Sequence, residues 1–253
     1  MIKGFYSAVT AMVTNSNLQE LLAHNAANID TPGFKQVLGT VEQFWQTPVV
    51  FPPGNLQNLS QMTYNGLLGL GSQSAPQVTD FTQGAMQLTG NMFDVGIEGE
   101  GYFRIETPDG ERYTRDGRFL RDAEGLLVTV DGHYVLDENG NQITMPNGDI
   151  TIDQNGNVMA DGAALATIDL VFFEDPQAAL TPDQGNLFTT EETPIADGTV
   201  RMLQGYLEMS NVNPTQLMTQ LVEVARSYEA AQKMVQNQDE LLGKAISTLG
   251  RIG

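Results

Sequence analysis

The chain of 253 residues has no cysteine, which excludes both a disulfide framework and thiolate chemistry. Its two histidines, His24 and His133, form no pair at metal-ligand spacing, so a zinc site is not expected. No run approaches the ~18 uninterrupted apolar residues of a membrane span, and no membrane insertion is expected. Positive charge is scarce: 12 Lys and Arg stand against 31 Asp and Glu, a net charge of −19. A surface that acidic repels nucleic acid and anionic lipid headgroups, which are themselves polyanions.

Catalytic signatures are missing as well. There is no G-x-S-x-G elbow, and Gly96, Gly99 and Gly101 lack the GKS or GKT ending and the strand-to-helix setting of a phosphate loop. Glu98 and Glu100 are the pair that a glycoside-cleaving acid/base mechanism would use, but a chain with 31 acids shows such pairs by chance. Acidic turns invite a calcium reading, yet neither the EF-hand loop nor the paired-glycine nonapeptide repeat occurs. No catalytic residue, metal or cofactor is expected. The N-terminus, with one Lys and an apolar stretch cut by Thr10, Thr14, Asn15 and Ser16, suits an amphipathic helix better than a cleaved signal peptide.

What is present is unevenly distributed. Residues 1–60 carry Lys3 and Lys35 against Glu20, Asp30 and Glu42, a net of −1, and residues 201–253 balance five basic with five acidic side chains. Residues 61–200 therefore hold −18. Copies of the chain can approach one another through their ends, while the middle repels its neighbours and stays solvated.

Those neutral ends have helical periodicity. Alternating steps of three and four from Leu217 reach Leu221, Val224, Tyr228, Ala231, Val235, Gln238, Leu242, Ala245 and Leu249, an apolar seam with one polar member. Asn213 suits the N-cap, Pro214 the first turn and Gln216 the capping-box position, so the helix starts there. A helix of roughly 50 Å with one apolar stripe needs a partner. A weaker seam over residues 4–29 runs through Phe5, Ala8, Met12, Asn15, Gln19, Leu22, Ala26 and Ile29, and Asp30-Thr31-Pro32-Gly33 ends it.

Between the helices the pattern changes twice. Residues 42–76 hold four prolines, repeated glycines and no clear period, and they read as an extended connector that packs at an assembly interface. An ordinary mobile linker is the alternative, opposed by Phe44, Trp45, Phe51 and Tyr64. From Val78 to Tyr206 the chain reads as all-β. Asp109-Gly110, Asp116-Gly117, Glu124-Gly125, Asp131-Gly132, Asn139-Gly140, Asn147-Gly148, Asn155-Gly156 and Asp161-Gly162 recur as hairpin turns between runs of three to five residues. ATIDLVFF is expected as a more buried strand and DPQAALTPDQGNLF as a loop.

Four segments then carry a resemblance. HNAANIDTPGFKQ, the central FTQGAMQLTGNMFDVGIEGEGYFRIETPDGERYTRDGRF, GNLF, and the ending GYLEMSNVNPTQLMTQLVEVARSYEAAQKMVQNQDELL resemble, in this order, the bacterial flagellar rod and hook family. The resemblance implies export by the flagellar type III apparatus without signal cleavage and a place in the basal body, outside the cytoplasm. It also implies a homo-oligomeric helical tube whose terminal helices form an inner coiled-coil layer. Other rod and hook subunits and the rings around the rod would be its partners. Hook subunits usually carry a further outer domain, for which 253 residues leave little room, so a rod subunit is expected. The IEGEGYF and TRDGRF segments and the length point to the distal type over the proximal, while the Pro-rich connector departs from the commoner pattern.

The combined expectation is an α+β chain with four parts: residues 1–41 as the N-terminal coiled-coil helix and turn, 42–76 as the connector, 77–206 as the β-rich domain, and 207–253 as the C-terminal coiled-coil helix. The expected assembly contacts are Phe5, Met12, Leu22 and Ile29 with Leu217, Leu221, Val224, Tyr228, Val235 and Leu242. Three rivals stay open: an intramolecular helical hairpin, a cell-surface binding module using the acidic domain, and a wall-cleaving enzyme using Glu98 or Glu100.

Overall fold

A computed structural model describes residues 2–43, 46–51, 63–69, 71–196 and 200–249. The architecture is α+β, with helices α1 (Ile2–Ala27), α2 (Pro176–Ala179) and α3 (Pro214–Leu249) and β-structure between the first and last. The chain forms two compact units. The first takes Met1–His24, Val37–Val78 and Pro214–Gly253; the second takes Asn25–Gln36 and Thr79–Asn213. The second thus includes a segment that the sequence places with the N-terminal helix.

In the first unit, α3 begins at Pro214, where the ring's fixed φ suits a first turn and the missing N–H costs nothing. Helix α1 stops at Ala27, two residues before the expected Ile29. The Thr31 hydroxyl donates to Asn28 Oδ1 at 3.3 Å and the Thr31 N–H to Asn28 O at 3.2 Å. These local bonds compete with the helix, and Pro32 disfavours helical Thr31.

Within the segment expected as an extended connector, residues 42–76, the described strands pair with one another. Val41–Gln43 lies antiparallel to Ser72–Ser74, and Gln46–Phe51 to Thr63–Gly69. One register runs from Val41 opposite Ser74 to Pro48 opposite Leu67, then slips by one residue before Val50 opposite Tyr64. Such a bulge bends a two-stranded ribbon, and a ribbon is all edge, so it tolerates Pro48. Its base is pinned to α1: Thr14 Oγ1 donates to Ser72 O at 3.3 Å and the Ser72 N–H to Thr10 Oγ1 at 3.3 Å. Phe44 and Trp45 lie outside the described residues, as do the side chains of Phe51 and Tyr64.

The second unit is built around the strand Tyr102–Thr107. It pairs on one side with Gly110–Thr114 and on the other with Tyr134–Val135 and Leu170–Phe172, all antiparallel. The sheet extends outward through Leu127–Thr129 to Phe119–Arg121, and through Leu187–Thr189 to Thr181–Pro182. Alternation along the central strand divides its side chains between two cores. Phe103 and Ile105 join Val95, Phe119, Leu127, Val135, Val158 and Met202. Tyr102, on the opposite face, joins Tyr113, Val171, Phe173 and Phe188. The unit also holds a three-stranded sheet of Ile150–Ile152, Asn157–Ala160 and Ala163–Thr167 and two antiparallel pairs, Val95–Glu98 with Arg201–Gln204 and Met86–Leu88 with Tyr206–Glu208.

Most acidic-Gly pairs are turns. Asp161 and Gly162 both have positive φ, as the two-residue hairpin between Ala160 and Ala163 requires. Two pairs depart from the expected series: Asn147-Gly148 lies between Thr144 and Ile150, which pair with Leu126 and Ala160, and Asp116-Gly117 also closes no hairpin. The Val95 N–H donates to Gly117 O at 3.0 Å, and a Cβ at position 117 would collide with Val95 O. This glycine permits a close backbone approach and supplies no turn. The expected loop after ATIDLVFF contains α2, capped by Asp175, whose carboxylate accepts from the Gln177 and Ala178 N–H groups.

Candidate functional site

The two seams are placed as follows. In α3, Leu217 and Ala231 are buried, and Leu221, Val224, Tyr228, Val235, Gln238, Leu242 and Ala245 are half-buried; the side chain of Leu249 lies outside the described residues. Beside that covered face the helix exposes Met218, Val222, Met234, Leu241 and Ile246, each by 53–70%. In α1, Leu22 is buried and Phe5 and Met12 are half-buried. Ile29 is set apart, because it follows the end of α1 and belongs to the second unit.

The second unit contains a charged centre that the sequence pattern did not single out. Four segments converge on it: Thr31–Gln36, Phe81–Gly84, Gly99–Arg115 and Gly205–Asn211. Glu208 sits between Leu207 and Met209 on the strand Tyr206–Glu208, where its side chain turns inward. Lys35 Nζ donates to Glu208 Oε1 at 2.6 Å, and Arg115 Nη1 donates to Glu208 Oε2 at 3.0 Å. The three side chains are only 1–2% exposed.

Most of their remaining polar atoms bond to backbone groups, while Arg115 Nε is buried without a hydrogen-bond partner. Lys35 Nζ donates to Thr82 O at 2.8 Å, Arg115 Nη2 to Gly99 O at 2.6 Å, and the Gly84 N–H to Glu208 Oε1 at 2.9 Å. The Arg115 guanidinium also lies 5.2 Å from the centroid of the Tyr102 ring, a cation–π distance. Burial pushes the Lys35 ammonium below its usual range; Glu208 opposes that shift and Arg115 adds to it. Burial also raises the Tyr102 phenol.

Backbone bonds close the same joint. The Gly33 N–H donates to Glu208 O at 2.7 Å, and the Asp80 N–H to Gln36 O at 2.8 Å. Asn211 ties three segments with one amide: Oδ1 accepts from the Gln36 N–H at 2.7 Å, and Nδ2 donates to Asp80 O at 2.8 Å and Thr82 O at 3.1 Å. Gly33 has φ +70° and faces the Arg115 backbone so closely that a Cβ would overlap it. The clue in the sequence was a single carboxylate inside the otherwise apolar YLEM.

This geometry fixes chain segments. Glu208 accepts from Lys35, Arg115 and Gly84, so its carboxylate is engaged on both oxygens. Glu98 ends its strand and Glu100 follows the turn at Gly99, so no strand presents the two on one face. The acidic turns are engaged too: Asp153 Oδ1 accepts from the Asn155 and Asn157 N–H groups, and Oδ2 from Asn157 Nδ2, each at 2.9 Å. Asp137 repeats this with Asn139 and Asn141. Among the described residues no group of three or more His, Asp or Glu is placed to hold a metal ion. No helix among them is long and apolar enough to cross a membrane.

Three family models cover most of the two long helices and three of the four segments of this joint, Phe81–Gly84 lying outside them. Residues 5–35 match the flagella basal body rod protein family, 96–160 the D1 domain of the flagellar hook proteins FlgE/F/G, and 203–248 the C-terminal region of the basal body rod FlgEFG proteins. Over its whole length the chain is 35% identical to the full flagellar basal-body rod protein FlgF of Caulobacter vibrioides. The chain belongs to the flagellar rod and hook family. Rod proteins FlgG of Bacillus subtilis, 30% identical over 98% of this chain and 99% of the relative, and of Agrobacterium fabrum, 34% identical over 92% and 94%, are similar to it along nearly the same span. As a rod-family protein it is a structural subunit of the flagellar basal body, and its function is not enzymatic.

Proposed function

We propose that this rod subunit polymerises through α1 and α3 into a hollow axial shaft, the terminal helices packing as a coiled-coil layer. The observation that carries this reading is the double character of α3. Its 36 residues cover one apolar seam yet leave Met218, Val222, Met234, Leu241 and Ile246 in solvent. A helix with apolar side chains on two faces has more to bury than one neighbour accepts. The near-neutral ends let copies approach, and the −18 of residues 61–200 keeps the middle solvated.

The assembly contacts we assign are Phe5, Met12, Leu22 and Ile29 with Leu217, Leu221, Val224, Tyr228, Val235 and Leu242, joined by the exposed α3 residues. Other rod and hook subunits and the surrounding rings are its partners in this reading, and it reaches them by type III export without signal cleavage. For its position along the shaft we keep the distal rod, on the IEGEGYF and TRDGRF segments, against the proximal rod. The four-part division at residues 41, 76 and 206 stays part of this proposal.

Electron microscopy of the purified chain at high concentration tests the assembly. Ordered tubes are expected; a protein that stays single at every concentration overturns it. Labelling the subunit in isolated basal bodies decides distal from proximal.

A further inference from the structure

We propose that the Lys35–Glu208–Arg115 cluster is a registry lock: it selects one seating of the Thr31–Gln36 turn against the Tyr206–Asn211 segment and adds little to the net stability of the β-rich unit. The proposal concerns the second unit alone and is independent of how subunits assemble.

Two cations and one carboxylate, all nearly removed from water, make a poor source of stability. Desolvation of buried charges offsets most of their mutual attraction, and apolar replacements are often as stable. The same chemistry is unforgiving of error. Sliding the turn by one residue would put Phe34 or Gln36 where Lys35 stands. Thr82 O would then lose the shorter of its two donors, the displaced Lys35 ammonium would be buried away from its carboxylate, and Glu208 would keep one cation instead of two. A buried polar group left unpaired is strongly penalised even where the satisfied bond is nearly neutral. The correct seating therefore gains little in absolute terms and much relative to its neighbours.

Two further bonds depend on that seating, one on each side of Lys35. The Gly33 N–H reaches Glu208 O and the Gln36 N–H reaches Asn211 Oδ1, both at 2.7 Å. Each reports the register without contributing a charge. The cluster also joins segments 93 and 173 residues apart in sequence, where no local turn chemistry enforces a register.

The test is a double-mutant cycle on the unassembled full-length chain, with thermal unfolding and amide hydrogen exchange as readouts. Glu208→Gln keeps one acceptor oxygen, enough for the Gly84 N–H or for Arg115 but not for both, and leaves two buried cations with no counter-charge. Lys35→Met with Glu208→Gln restores the buried excess of one positive charge found in the unaltered protein. The double variant is expected to recover most of the unfolding temperature lost in Glu208→Gln. Its Gly33 and Gln36 amides should still exchange at least about tenfold faster than in the unaltered chain, with Phe103 and Ile105 unchanged. Three outcomes overturn the proposal: wild-type exchange at Gly33 and Gln36 in the double variant, equal acceleration at Phe103 and Ile105, or a double variant that does not fold. The last two would make the cluster an ordinary stabilising contact. Because the readouts use unassembled protein, a failure to form tubes leaves this test intact.

Discussion

Lys35 and Glu208 are 173 residues apart in the chain, and their side chains meet at 2.6 Å with both nearly sealed from water. Removing one member of such a pair leaves the others charged and uncompensated. Glu208→Leu, which strands Lys35 and Arg115 together and orphans the Gly84 N–H, is expected to destabilise the second unit by about 3–5 kcal/mol. Urea unfolding followed by tryptophan-independent circular dichroism measures it; a loss under about 1 kcal/mol would contradict the buried geometry.

Gly33 makes a sharper test of the same joint. Its φ of +70° and its approach to the Arg115 backbone leave no space for a side chain. Gly33→Ala should cost at least about 1–3 kcal/mol, through both strain and displacement of the turn. The Gly33–Glu208 backbone bond should weaken with it, seen as faster exchange at that amide.

The two faces of α3 separate folding from assembly. Val222 is 53% exposed and Leu217 is 3% exposed. Val222→Asp should leave the unfolding of the isolated chain within about 0.5 kcal/mol and abolish tube formation in sedimentation assays. Leu217→Asp should damage the fold itself, because it buries an unpaired charge. Tubes formed by Val222→Asp at the ordinary concentration would remove the exposed face from the assembly.

Asp153 ties stability to acid. Its hydrogen bond from the Asn157 side chain, with the Asn157 and Asn155 N–H groups, holds its carboxyl below the usual 3.8. A depressed folded value contributes stability that is present above the unfolded value and lost as pH falls through the lower, folded one. Asp153→Asn should therefore be less stable at neutral pH, by on the order of 1 kcal/mol, and its stability should fall less steeply below 3.8. Unfolding midpoints from neutral pH into that range check the slope.

Some of this was legible from local spacing. Every described position of the α3 seam from Leu217 to Ala245 is covered by the fold, with Gln220 and Ala225 beside it, since a 3.6-residue period states which side chains share a face whatever that face meets. The positive φ of Gly125, Gly132, Gly140 and Gly156 likewise follows from Asp, Asn or Glu before Gly at short intervals. Asp116-Gly117 carried the same local signal and serves another purpose, because Val95 comes against it from elsewhere in the chain. The Pro-rich 41–74 segment concealed a hairpin, since pairing partners up to 33 residues apart leave no periodic mark in so short and irregular a ribbon.

The sequence by itself determined two long striped helices, an acidic turn-rich middle and the absence of a catalytic set, because periodicity and turn chemistry act over a few residues. Only the tertiary structure decided that Lys35, Arg115 and Glu208 share one buried centre, that Val41–Gln43 pairs with Ser72–Ser74 and Gln46–Phe51 with Thr63–Gly69, and which side of α3 stays in water. Those outcomes depend on closing loops of tens to more than a hundred residues, and the identity of a charge says nothing about its partner until the backbone has brought them together.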